Sequence, residues 1–355
     1  MADDSALMRR VLTSALSNSD TEIVGVAANG DEAIALCERE HPDVLSLDLA
    51  MPGRDGIGVL RALRERSIDV PVVVVSAFSP SHGVRAVDAL AEGAFELVAK
   101  PAGPDGLDAF VRELGSKVRA AAETRARRRP RRSAVRHPAA VALAVASPPA
   151  TGLAARPPAP WRPARAPSSS RVVLIACSTG GPRALAELLP ALPDSVGGGT
   201  LIVQHMPAGF TGSLAARLNR ESPLRVTEAV DGERIGPGRA LLAPGGSHLR
   251  IAPDATVRLS DDAAIGGLRP RADLTITDAV RVWGERLLLV VLTGMGRDGL
   301  EGARAVRKAG GRVFVEAESS CVVYGMPRAI VRAHLADEEL DLGVLPEAIL
   351  AEASR

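Results

Sequence analysis

Three side chains in the C-terminal half of the sequence are of the types that together make an activated nucleophile. Ser178, His205 and Asp298 each follow an apolar run that reads as a buried strand. A serine hydroxyl needs a base, imidazole titrates near neutrality, and a buried carboxylate fixes the imidazole tautomer and stabilises its cation. Ser178 lies in Arg171-Val-Val-Leu-Ile-Ala-Cys-Ser-Thr-Gly-Gly-Pro-Arg183. There an apolar run gives way to a glycine turn, and Pro182 opens a helix. A hydroxyl held at such a junction faces unpaired helix N–H groups, which suit an oxyanion. The same serine also reads as a helix cap, and the glycines as a phosphate cradle.

Each position has a rival. Cys177 could be the nucleophile beside His205, although a thiol closing an apolar strand is more often a small buried core group. His248 also follows a glycine turn, and His205 is preferred because it leaves a strand of the same sheet as Ser178. Asp298 reads equally as an N-cap for the helix that follows it. The glycines form no Gly-x-Gly-x-x-Gly, and the serine is not in Gly-x-Ser-x-Gly, so neither a dinucleotide loop nor an ordinary α/β-hydrolase elbow is indicated.

A second group stands near the N-terminus: Asp3, Asp4, Asp48, Ser76 and Lys100. Converging carboxylates repel unless a cation sits among them, and a hard oxygen site of this kind suits Mg²⁺. A carboxylate beside Mg²⁺ can attack a phosphoryl group while a lysine and a hydroxyl steady the product charge. Taken singly, each residue reads as a cap or a solvated turn.

The elements that must position these groups follow from the pattern. In residues 1–118, helical periodicity at 5–16, 31–40, 56–66, 82–92 and 105–118 alternates with extended runs at 22–27, 44–47, 70–75 and 94–98. Alternation of this kind predicts an α/β unit with a parallel sheet covered on both faces and ligands at the carboxyl ends of the strands. Residues 171–355 repeat the logic as a doubly wound α/β domain, with buried strands at 172–176, 200–204 and 287–292. Residues 119–170 differ: the basic run Arg125-Ala-Arg-Arg-Arg-Pro-Arg-Arg132 leads into Ala/Pro-rich sequence that reads as a linker. It has no aromatic interleaving or helix-turn-helix pattern, so it is not read as a nucleic-acid-binding arm.

Composition narrows the class. A chain of 355 residues holds two ordinary domains and a linker, and 46% hydrophobic content supports sizeable cores. A net charge of +1 argues against a protein that coats nucleic acid. Three scattered cysteines suggest a reducing, cytoplasmic setting without a disulfide framework. No apolar run reaches the roughly 20 residues of a membrane helix, so no membrane insertion is expected.

The first segment resembles the receiver domain of two-component response regulators. The resemblance rests on Asp-Asp-Ser-Ala-Leu-Met-Arg, Leu-Asp-Leu-Ala-Met-Pro-Gly-Arg-Asp-Gly, Val-Ser-Ala-Phe and Ala-Lys-Pro. It implies Asp48 as phosphoacceptor, Asp3, Asp4 and Asp48 as the Mg²⁺ site, Ser76 as switch hydroxyl and Lys100 as phosphate partner. The second segment resembles the catalytic domain of the chemotaxis protein-glutamate methylesterases through Ala-Cys-Ser-Thr-Gly-Gly-Pro, Gln-His-Met-Pro-Ala-Gly-Phe-Thr, Leu-Ala-Pro-Gly-Gly-Ser-His-Leu, Leu-Thr-Gly-Met-Gly-Arg-Asp-Gly and Cys-Val-Val-Tyr-Gly-Met-Pro-Arg. That resemblance implies Ser178 as nucleophile, His205 as base, Asp298 as orienting acid and the Met295 N–H as an oxyanion donor. The implied substrates are glutamyl methyl esters, and receptor glutamines, on methyl-accepting chemoreceptors. The implied phosphodonor is a chemotaxis histidine kinase, and no cofactor is implied for the ester reaction itself. The unphosphorylated receiver is expected to cover the catalytic face.

The sequence departs from the family pattern in places. Cys177 stands where alanine is usual, Arg271 where a small residue is common, and Val315-Glu-Ala-Glu318 where the family more often has Gln-Asp-Glu. The receiver's first strand is missing, since only Met1-Ala2 precede the acidic pair, and the expectation is that the native polypeptide begins upstream. Two other functions stay open on the sequence: a phospho-dependent binding regulator without catalysis, and a generic serine esterase or amidase.

Overall fold

The structure is a computed structural model that describes residues 1–17, 21–77, 80–101, 103, 106–128 and 170–354. Most of the stretch read as a linker, residues 129–169, lies outside the described residues.

The N-terminal unit contains α1 (Ala6–Leu16), α2 (Gly30–Glu40), β1 (Leu45–Asp48), α3 (Gly56–Glu65), β2 (Val72–Ser76), α4 (Pro80–Ala91), β3 (Glu96–Ala99) and α5 (Leu107–Arg128). The three strands form a parallel sheet in the order β1-β2-β3. β2 is buried at every position, as a β-branched strand covered by helices on both faces should be. The helices start on side-chain caps: Asn29 accepts the Glu32 N–H at 3.0 Å, Glu32 answers on the Ala28 N–H at 2.8 Å, and Asp55 accepts the Gly58 N–H at 2.8 Å.

Two expectations are corrected here. The run at 22–27 does not form a strand. Ala2 alone lies between Ala27 and Leu47, joined to each by a one-residue parallel bridge. Its N–H reaches the Ser46 carbonyl at 2.8 Å, and its carbonyl accepts the Asp48 N–H at 2.9 Å. Beyond Ala2 the would-be neighbour shrinks to Met1, whose terminal ammonium donates to the Gly25 carbonyl at 2.9 Å. Residues 22–26 are irregular, and Val24 and Val26 face solvent. A cleft of about 420 Å³ opens there, lined by Met1, Gly25, His41, Asp43, Ser46 and Val118 among others. The second correction concerns α5, which continues past residue 118 to Arg128. Ala120 and Ala121 are strong helix formers and are buried, Ala121 completely, in the cluster that includes Phe110 and Leu114.

The C-terminal unit comprises β4 (Val172–Cys177), α6 (Gly181–Leu188), β5 (Thr200–Gln204), α7 (Thr211–Glu221), β6 (Arg225–Glu228), β7 (Arg239–Leu242), β8 (His248–Ile251), β9 (Val257–Ser260), α8 (Ala272–Trp283), β10 (Leu287–Val291), α9 (Leu300–Lys308), β11 (Arg312–Glu316), α10 (Met326–Arg332), β12 (Glu338–Leu340) and α11 (Leu345–Ala353). Seven strands form one parallel sheet in the order β12-β11-β10-β4-β5-β7-β6, and β8 and β9 make a separate antiparallel hairpin. β4, β5 and β10 are fully buried and adjacent, with β4 in the middle. Their carboxyl ends therefore open side by side.

The two units touch. α4 packs against α6 and α7, and Arg217 of α7 pairs with Asp88 of α4 at 2.6 Å. Val322 and Val323 pack on the receiver core around Phe110 and Leu114. Among the described residues no helix is long and apolar enough to cross a membrane.

Candidate active site

The three residues singled out from the C-terminal sequence leave neighbouring strands, Ser178 after β4, His205 after β5 and Asp298 in the turn between β10 and α9. His205 Nε2 lies 2.7 Å from Asp298 Oδ2. Its Nδ1 is buried without a hydrogen-bond partner among the described residues. The backbone ties His205 to the nucleophile strand, because its N–H donates to the Cys177 carbonyl at 3.1 Å. The described residues show no hydrogen bond between the Ser178 hydroxyl and the imidazole; such contacts often tighten only with substrate bound.

Asp298 does not cap α9, whose N-cap is Gly299. Its carboxylate accepts the Gly299 N–H at 3.0 Å and, from the first turn of α8, the Ala272 N–H at 2.7 Å and the Asp273 N–H at 3.0 Å. Burial works against its ionisation, but the His205 contact and these N–H groups hold the carboxyl below the usual carboxylate range. Arg271 adds a guanidinium 3.5 Å from Asp298 and 2.9 Å from Asp273.

The rivals occupy other places. Cys177 is buried, donates to Gln204 Oε1 at 3.0 Å, and is driven far above an ordinary thiol by burial. His248 belongs to the β8–β9 hairpin, fully buried, with Nε2 3.3 Å from the Ala263 carbonyl.

The loop after β10 meets Ser178 directly. A Cβ at Gly294 would fall 2.8 Å from Ser178 Cβ and 2.5 Å from Met326 Sδ, so only glycine allows this approach. Met295 follows, exposed, and its N–H makes no hydrogen bond among the described residues. Thr293 joins the two loops: its carbonyl accepts the Ser178 N–H at 3.0 Å, and its hydroxyl donates to the Thr179 carbonyl at 2.9 Å. Sequence reasoning assigned no role to Thr293 or Gln204. The Gln204 amide donates to the Ser178 carbonyl at 3.0 Å and the His205 carbonyl at 2.8 Å. The only signal for Gln204 was its place before His205 in the Gln-His pair.

The receiver residues also converge. One oxygen each from Asp3, Asp4 and Asp48 lies within 4.8 Å of the others, a hard donor set that fits Mg²⁺. Lys100 Nζ lies 2.8 Å from Asp3 and 3.0 Å from Asp48. Burial opposes the Lys100 charge, yet Asp3 and Asp48 raise its affinity for the proton. Burial likewise raises Asp3, against the pull of Lys100. Ser76 is buried at the end of β2, the strand next to β1.

Known proteins share this arrangement. Residues 173–349 match the family described as CheB methylesterase, and residues 1–112 match the response regulator receiver domain. The chain is 42% identical to a protein-glutamate methylesterase/protein-glutamine glutaminase of Symbiobacterium thermophilum, over 98% of this chain and 95% of that protein. It is 43% identical to protein-glutamate methylesterase/protein-glutamine glutaminase 5 of Myxococcus xanthus, over 96% and 94% of the two chains. The chain belongs to this family. The crystal structure of the Thermotoga maritima CheB methylesterase catalytic domain is 40% identical, with a TM-score of 0.50, covering 51% of this chain and 98% of that one. As a member of the methylesterase family it is a carboxylic ester hydrolase joined to a receiver, an α/β protein in both parts.

Proposed function

We propose that Ser178, His205 and Asp298 carry out the family's hydrolysis of glutamyl methyl esters on methyl-accepting chemoreceptors, and the deamidation of receptor glutamines. The observation that carries this reading is the 2.7 Å contact between His205 and Asp298, which leaves Nδ1 without a hydrogen-bond partner among the described residues. Ser178 Oγ attacks the ester carbonyl while His205 Nδ1 takes its proton. Asp298, held ionised, stabilises the imidazolium. The Met295 N–H, on the loop that abuts Ser178, receives the developing oxyanion. The tetrahedral adduct collapses as His205 returns the proton to the leaving methoxide, and methanol departs. Water, deprotonated by the same imidazole, then cleaves the acyl-enzyme.

Asp48 is the phosphoacceptor in this reading, and a chemotaxis histidine kinase the donor. Asp3, Asp4 and Asp48 would hold Mg²⁺, which neutralises charge on the transferring phosphoryl group. Lys100 and Ser76 contact the phosphate. No cofactor takes part in the ester reaction. The receiver ends near residue 118 in sequence terms, with α5 extending it, the linker follows to 170, and the catalytic domain fills 171–355. The setting is cytoplasmic. The contact of Glu96 with Thr179, next to the nucleophile, at 2.6 Å, supports a receiver that restrains the site until phosphorylation shifts it.

Methanol release from methylated receptor, with and without a phosphodonor, tests the assignment. Ser178→Ala should lower turnover by several orders of magnitude, and Cys177→Ala should keep most of it. Activity that survives in Ser178→Ala and vanishes in Cys177→Ala overturns it. A wild-type chain that releases no methanol would be a binding regulator, and one that turns over small esters but not receptor would be a generic esterase.

A further inference from the structure

Glu316, the last residue of β11, is a buried acid that the reaction above does not use. It is fully buried. Its Oε2 accepts the Thr293 N–H at 2.7 Å. Its Oε1 is buried with no hydrogen-bond partner among the described residues. The Ser320 hydroxyl is directed at the Ala317 carbonyl at 3.4 Å and the Cys321 thiol at the Glu316 main-chain carbonyl at 3.7 Å, and both also lie close enough to pull on the Glu316 carboxyl.

The charged groups around it are of both signs, and among the described residues none is paired with its free oxygen. Glu187 and Arg183 of α6 line the same cleft of about 380 Å³, Cys177 ends β4, and Cys321 and Glu318 follow in the chain. Among the described residues no lysine or arginine forms an ion pair with Glu316. An ionised carboxylate left inside without a counter-charge is expensive, whereas the neutral acid is a tolerable buried group. Burial raises the proton affinity of Glu316 against the pull of the Thr293 N–H and the nearby Ser320 and Cys321, and Glu187 adds to the rise.

Its 2.7 Å hydrogen bond lands on Thr293, the residue that binds the Ser178 N–H, the Thr179 carbonyl and the Val323 N–H at once, at 3.0, 2.9 and 2.9 Å. We propose that Glu316 is a positioning residue, a neutral carboxylic acid whose carbonyl oxygen anchors Thr293 and thereby sets the nucleophile loop against the Gly294–Met295 loop. This rests on the assignment of Ser178 as nucleophile. Glu316 touches no reacting atom and acts only through Thr293.

Two substitutions and one spectrum test it. Glu316→Gln keeps an oxygen for the Thr293 N–H and can never ionise, while Glu316→Ala removes the anchor. The infrared difference between wild type and Glu316→Gln near neutral pH should contain a free-acid carbonyl band belonging to the wild type. In methanol release, Glu316→Gln should stay within about twofold of wild type, and Glu316→Ala should lose about ten- to a hundredfold in kcat with KM little changed. Absence of the free-acid band overturns the proposal, as does a Glu316→Gln enzyme as slow as Glu316→Ala, or a Glu316→Ala enzyme with undiminished kcat. If Glu316→Ala does not fold, the spectrum and the glutamine variant still decide. Failure of the nucleophile assignment shows separately, as activity in Ser178→Ala.

Discussion

Asp298 and Asp273 cap each other's helices. Asp298 Oδ1 accepts the Asp273 N–H at 3.0 Å, and Asp273 Oδ1 accepts the N–H groups of Gly299 and Gly302 at 2.9 Å each. The carboxylate that orients His205 is thus fixed to the start of α8, while α8 is fixed to the start of α9. Two buried acids can stand so close because each faces helix N–H groups.

Acid should expose this arrangement. Asp298 is held below the ordinary carboxylate range, so its contribution is complete above about pH 4, its unfolded value, and fades as pH falls through its lower folded value. Asp273 is shifted upward by burial, so its ionisation destabilises the fold as pH rises from about 4 to its folded value. Asp298→Asn should cost about 1–3 kcal/mol at neutral pH, and the gap to wild type should narrow below about pH 4. Urea melts across that range check both signs.

The same substitution should be far harsher on catalysis than on folding. An asparagine cannot stabilise the imidazolium and invites the wrong tautomer, so kcat should fall by about three to four orders of magnitude. Methanol release by chains shown to be folded, with KM measured alongside, checks this.

Cys37, Cys177 and Cys321 are all buried and free. Burial raises the proton affinity of each thiol, and the thiolate is the form that reacts. The native protein should therefore resist alkylation at all three and react fully in denaturant. Mass spectrometry after timed exposure to iodoacetamide gives the answer, and rapid native labelling of Cys177 would reopen its candidacy as nucleophile.

Asp88 and Arg217 tie α4 to α7, away from the reacting groups. Both are partly exposed, so the pair itself contributes only about 0.2–1 kcal/mol. Asp88→Ala should raise the activity of the unphosphorylated chain by a few-fold at most and leave the phosphorylated activity unaltered. Asp48→Asn should block phosphate uptake from a small phosphodonor, and a chelator should do the same to wild type. Intact mass and methanol release read the two effects.

Much of the catalytic unit was legible because its central strands are unbroken runs of Val, Leu and Ile that end in a polar residue. The short strands β6, β9 and β12 were not anticipated, since three or four residues carry too little periodicity to separate from a loop, and the helix α11 was also missed. The three candidate residues were readable as strand ends, but which strands adjoin was not. His205 follows a strand next to β4, as expected, whereas His248 sits on a hairpin. Asp298 looked like a cap in the sequence and is one, for a helix more than twenty residues earlier. The run at 22–27 misled because its pattern suits a strand, whereas only Ala27 of it bridges to Ala2. Glu96 reaching Thr179 across the two units left no trace in local pattern, because only the tertiary arrangement brings them together.

β4 sits between β5 and β10, and all three run parallel. No two of them can be linked by a hairpin, so each junction forms only after a long excursion of the chain has closed. During refolding, the recovery of ester cleavage therefore clocks the last of these remote closures, long after most helices have formed.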